Sequence, residues 1–184
     1  MLILTIVFVV FSALAFPSAT RAQNTEVFVG ASFVRANPHF TRPDFRFNHD
    51  TDQIGFDVAI TGYFGDRPIG LTADIAGSWR SKDRADSSLL TIMAGPTVKV
   101  RGHRVEPFVH GLVGVGRFAA AGQQTSFRFD KSTTGWAYAL GGGLDIKINR
   151  RLAIRPLQLE YLSTRILEKN VRYMRAAAGI VISF

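Results

Sequence analysis

Asp74, Lys99, Glu106, His110, Asp145, Lys147, Arg155, Glu160 and Arg175 are the side chains most able to do chemistry, because each interrupts an apolar or small-residue stretch. Three kinds of chemistry are open to such a set. It could form ion pairs that hold a structure shut, line a charged path for ions, or do acid–base work on a substrate. The rest of the chain does little for the third. No Ser–His–Asp arrangement can be proposed with any specificity, and the absence of cysteine removes thiolate chemistry and any disulfide framework. His39, His49, His103 and His110 lack metal-ligand spacing, and His39 and His49 read as loop residues. Asp44, Asp50 and Asp52 could hold a divalent cation, but a solvated loop is the simpler reading. Gly114-x-Gly116 is part of a dinucleotide fingerprint with no helix after it, and is rejected. No catalytic residue, cofactor site or metal site is assigned.

The elements that must position the charged set are β-strands. From Arg172 onward the even positions read Arg172, Met174, Ala176, Ala178, Ile180, Ile182, Phe184. The odd positions read Tyr173, Arg175, Ala177, Gly179, Val181, Ser183. That is a period of two, with one face almost wholly apolar. The same alternation predicts strands over 26–36, 55–64, 69–80, 88–101, 104–118, 134–148, 152–165 and 171–184. Residues 65–68, 102–103 and 149–151 read as tight turns. The segments 37–53, 81–87, 119–133 and the polar stretch after 165 read as longer loops. Each strand meets the ~9–11 residues that a tilted membrane-crossing strand requires.

The two faces decide between membrane and water. Val, Ile, Leu and aromatics share one phase with almost no charge; Gly, Ala, Ser, Thr and nearly all mid-strand charges share the other. A soluble ligand-binding barrel shows the reverse. Trp79 and Trp136 fall at loop-side strand ends on the apolar face, where with Phe184 they would form an aromatic girdle. The expected fold class is therefore all-β, an eight-stranded antiparallel up-and-down transmembrane β-barrel after an N-terminal signal peptide. The short turns and both termini would lie in the periplasm.

At 184 residues the chain has room for one domain. Met1–Phe16 is nearly unbroken apolar sequence, followed by small residues at Thr20 and Ala22, although no Lys or Arg precedes it. This reads as a secretory signal over 1–22, leaving a barrel domain over 23–184. The net charge of +8 suits nucleic acid or anionic lipid, and its distribution separates the two. One rim would carry Arg67, Arg101, Arg104, Arg150 and Arg151. The other would carry Arg35, Arg80, Lys82, Arg84, Arg117, Arg128, Lys131, Lys169 and Arg172. No base-stacking aromatics share a polar face with them, which argues against nucleic acid. Anionic head groups below and lipopolysaccharide phosphates above are the expected partners.

Gly55-Phe56-Asp57, Gly95-Pro96, Pro107-Phe108-Val109-His110, Gly141-Gly142-Gly143-Leu144-Asp145 and Phe184 carry a resemblance over all of 26–184. The chain resembles the small eight-stranded outer-membrane barrels of Gram-negative bacteria, such as the transmembrane domain of outer membrane protein A. More closely it is similar to the free-standing outer membrane protein β-barrel family. The resemblance implies a monomer assembled by the outer-membrane insertion machinery with periplasmic chaperones. That machinery recognises an aromatic-ended last strand, here Phe184. No peptidoglycan-binding domain follows the barrel, so tethering to the wall is not expected. Some barrels of this architecture are lipid-modifying enzymes, but no nucleophile stands out here. The expected function is a non-catalytic barrel with a closed polar interior and a structural or surface-interaction role. The alternative is a narrow ion or small-solute channel gated by luminal charge pairs.

Register arithmetic gives the interior some content. A Gly102-His103 turn would set Lys99 opposite Glu106, and pairing Phe118 with Gly135 would set Glu106 opposite Lys147. A three-residue turn over 149–151 would set Asp145 opposite Arg155. Arg155 and Glu160 differ in parity, yet a bulge at Pro156 would turn both inward and bring Glu160 opposite Arg175. Three clusters are expected, Lys99–Glu106–Lys147, Asp145–Arg155 and Glu160–Arg175, with Asp74 and His110 nearby.

Overall fold

A computed structural model describes residues 25–36, 52–65, 67–82, 85–124, 127–166 and 169–184. The alternating stretches form β1 (Thr25–Ala36), β2 (Gln53–Tyr63), β3 (Ile69–Lys82) and β4 (Ala85–Lys99). They continue as β5 (Val105–Gln124), β6 (Phe127–Lys147), β7 (Leu152–Ile166) and β8 (Lys169–Ser183). Each strand pairs antiparallel with the next, and β8 returns to β1 from Glu26↔Ser183 to Ala36↔Tyr173, so the sheet closes into a barrel. Closure removes the edges that hydrocarbon could not satisfy, which is why a spanning sheet must be a barrel. Apolar side chains cover the outside: Ile92, Val113 and Leu140 are at least half free of protein contact. Asp57, Asp74, Asp145 and Glu160 lie fully inside. The expected leader over 1–22 falls outside the described residues, as do His39, His49, Asp44, Asp50 and Arg84.

The strands outlast the apolar alternation. β3 runs to Lys82 with β4 resuming at Ala85, and β5 runs to Gln124 with β6 starting at Phe127. Much of what reads as loops 81–87 and 119–133 is thus a continuing ladder, paired as far as Gln124↔Phe127. Hydropathy alternation marks where a strand crosses hydrocarbon. Beyond the bilayer both faces meet water, and backbone hydrogen bonds continue without an apolar face.

Two hairpin registers differ from expectation, each by an even step. Lys99 stands opposite Phe108 because the turn centres on His103 and Arg104. Gly102 instead packs against the hairpin: a Cβ there would lie 2.3 Å from the Val105 carbonyl oxygen. Across β5–β6, Gly116 faces Gly135 and Glu106 faces Asp145. An even shift leaves every side chain on its face. At the β6–β7 turn, Asn149 Oδ1 accepts hydrogen bonds from the Arg151 and Leu152 amides, both at 2.8 Å. The β7 register slips between Arg155 and Gln158. Pro156 lies in this slip, where its missing N–H excludes it from the ladder. Both Arg155 and Glu160 consequently point inward.

Candidate functional site

An eight-stranded barrel leaves an interior that side chains just fill, and here charge fills much of it. Near the turns, Lys99 Nζ lies 2.6 Å from Glu26 Oε2, 2.8 Å from Asp145 Oδ2 and 3.6 Å from Glu106 Oε2. Lys147 Nζ reaches Glu106 Oε1 at 2.6 Å, its side chain 38% exposed. Both lysines therefore meet Glu106 despite the shifted registers, because their stems span the two-residue offset along the strand. Arg155 donates to Asp145 through Nε at 2.7 Å and Nη2 at 3.0 Å. Its guanidinium is sandwiched between the Phe28 and Phe108 rings, at 4.4 and 4.0 Å from their centroids. Three acids thus meet three bases in this layer.

Gln158 joins this layer to the next. Its carbonyl oxygen accepts from Arg155 Nη1 at 2.6 Å, and its amide donates to Glu160 Oε1 at 2.8 Å and Asp57 Oδ2 at 3.2 Å. In the second layer Arg175 binds Glu160 through Nε and donates to Asp74 Oδ1 through Nη2 at 3.1 Å. Asp57 Oδ2 stands 3.9 Å from Arg175 Nε. His110 Nε2 lies 2.7 Å from Glu160 Oε1. A hydroxyl ladder, Thr61–Thr72–Thr97, crosses β2, β3 and β4 beside these groups.

The structure therefore joins all nine candidate residues, Asp74, Lys99, Glu106, His110, Asp145, Lys147, Arg155, Glu160 and Arg175, into one connected interior. Sequence reasoning missed Glu26, Asp57 and Gln158. Strand parity places Glu26 and Asp57 inside, but their partners lie across the lumen, where neighbour-strand arithmetic does not reach. Gln158 was hidden by the bulge. A second correction concerns the interior's character, which is not polar throughout. Above the Arg175 layer sits a buried apolar cluster of Val34, Leu89, Met93, Leu112, Leu162 and Tyr173, with Ala137 and Ala139.

Glycines leave room for the charged layers. A Cβ on Gly141 would stand 2.4 Å from Glu160 Cγ and 2.6 Å from the Leu159 carbonyl oxygen. Gly141→Ala is expected to destabilise the barrel by about 1–3 kcal/mol through overpacking, read from the urea midpoint of the refolded protein. On the outside, Trp79, Trp136 and Phe184 are 56%, 72% and 64% free of protein contact. Trp79 packs near Phe56, with ring centroids 6.1 Å apart. Trp136 stands well inside β6 rather than at its end, because β6 begins at Phe127. At the loop-side rim Arg35 donates to Asp52 at 2.9 and 3.0 Å. Those hydrogen bonds hold the Asp52 carboxyl below its usual pKa.

A closed antiparallel sheet with an apolar outside and ion pairs inside defines a small membrane-spanning β-barrel. Over residues 6–184 the sequence matches the outer membrane protein beta-barrel domain, and the chain belongs to that family. It is a protein of the bacterial outer membrane. No curated protein matches the sequence significantly. Among solved structures, the chain is similar to Ail, the attachment invasion locus protein of Yersinia pestis. The TM-score is 0.67 and the identity 18%, over 89% of this chain and 99% of that one. It is also similar to Neisserial surface protein A, with TM-score 0.64 and 16% identity over 87% and 97% of the two chains. The N-terminal barrel domain of Pseudomonas aeruginosa OprF gives 0.51 and 17%, over 89% and 100%. At these identities the likeness is one of fold.

Proposed function

We propose that this barrel is a non-catalytic, closed outer-membrane protein whose loop-side rim binds anionic glycolipid at the cell surface. The observation that carries the reading is the pairing of the interior. Among the described residues, the candidate acids and bases are spent on one another. A cavity of about 10 Å³ under the apolar cluster has room for about one water.

The rim supplies the surface chemistry. Arg35 is exposed at the loop-side end of β1, Arg80 and Arg172 stand near the corresponding ends of β3 and β8, and Arg117 is exposed on the outer face of β5, seven residues before that strand ends. Guanidinium groups there suit the phosphates of lipopolysaccharide. Ail has also been solved in complex with the heparin analogue sucrose octasulfate, and this rim suits the same anionic chemistry. Replacing Arg35, Arg80, Arg117 and Arg172 by Gln removes about 1 kcal/mol per residue of attraction to an anionic surface, so affinity should fall at least about tenfold. Binding of the refolded variant to lipopolysaccharide-containing vesicles measures this, and unchanged binding sinks the reading. A leader over 1–22 would deliver the chain to the periplasm. The insertion machinery would then meet Phe184, outward beside the β1–β8 seam.

A further inference from the structure

We infer that the lumen is sealed by the apolar collar and not by the ion pairs beneath it. The inference rests on the reading of the barrel as closed, and names what closes it. Val34, Leu89, Met93, Leu112, Leu162 and Tyr173 project inward from β1, β4, β5, β7 and β8, and each is at most 9% exposed. β6 adds Ala137 and Ala139. β2 and β3 complete the ring with a Ser78 Oγ to Gln53 Oε1 hydrogen bond of 2.7 Å.

Register places this ring directly over the charged layer. Tyr173 and Leu162 are paired, and one inward step below them Arg175 pairs with Glu160. Leu112 is one inward step above His110 on β5. The small cavity lies at the junction, since its lining includes Val34, Leu89 and Leu162 of the collar as well as Arg175 of the charged layer.

The two layers oppose an ion differently. In the charged layer an ion finds carboxylates, guanidinium and ammonium groups that can replace part of its hydration shell. Lys147 opens that layer toward water at the turn end. Around most of the collar an ion must shed water among methyl and methylene groups, and Ser78 and Gln53 on the remaining arc are already bonded to each other. A constriction of that kind blocks by staying dry. Exchanging the charge partners below leaves this barrier intact, whereas opening the collar brings water onto the charged layer.

The experiment compares the full-length protein with Glu160→Gln and with Leu112→Ser/Leu162→Ser in planar bilayers, folding being verified by heat-modifiable migration. Wild type and Glu160→Gln are expected to be silent, and the collar variant to show discrete conductance steps. Silence of a folded collar variant overturns the inference, as do steps of equal size from Glu160→Gln. Steps from the wild type overturn the closed-barrel reading itself. Should the double variant fail to fold, thiol accessibility provides a second route, because the chain has no cysteine of its own. Thr97→Cys places a thiol beneath the collar, opposite His110. A small impermeant thiol reagent applied to intact cells should label it at least about tenfold faster when Leu162→Ala is added, since a thinned collar admits water. Equal labelling rates with and without Leu162→Ala overturn the inference.

Discussion

Arg175→Met is expected to cost the barrel about 3–5 kcal/mol, because it leaves buried carboxylates without their counter-charge. Arg175 is 2% exposed and holds Glu160, Asp74 and Asp57 together from one side of the lumen. Methionine fills much of the same volume, so the loss is electrostatic and not a cavity. Urea titration of the refolded protein, followed by the loss of heat-modifiable migration, reads the change as a lowered midpoint. Glu160→Gln on the same background should recover part of it, because one carboxylate no longer needs a partner. Glu160 and Arg175 share a network, so their effects should not add. A variant as stable as the wild type would mean that water already compensates these carboxylates.

Ile92→Arg should be nearly as severe, for a different reason. Ile92 is the middle residue of β4, 50% free of protein contact and flanked by Ile75 and Val115 on the neighbouring strands. In a water-soluble barrel an arginine there would be welcome. In a bilayer it places a guanidinium in hydrocarbon and should cost about 2–4 kcal/mol near the midplane. Equilibrium folding into lipid vesicles measures the difference. A cost near zero would mean that this face does not meet lipid.

Much of the barrel is legible in the chain because a period of two is a local property. Ile180, Ile182 and Phe184 declare an outward face with no knowledge of what β8 packs against, and the same holds for Leu71, Ile75 and Trp79 on β3. Even the bulge is legible, since Pro156 cannot donate to a ladder and the parities of Arg155 and Glu160 conflict without it. Strand ends are less legible. The β5–β6 ladder continues to Gln124↔Phe127 through polar sequence, because beyond the bilayer backbone hydrogen bonds suffice.

The sequence by itself determined the face of each strand, the adjacent partners and hence Glu160–Arg175 and Asp145–Arg155, because all of these follow from parity and from turns between consecutive strands. Only the tertiary structure decided what meets across the lumen. Lys99 reaches Glu26 from β4 to β1, Gln158 reaches Asp57 from β7 to β2, and Arg175 reaches Asp74 from β8 to β3. The apolar collar belongs with them. Val34, Leu89, Leu112 and Leu162 are apolar residues on inner faces of mixed character, far apart along the chain. They become a layer only when closure brings their strands around one axis at one height.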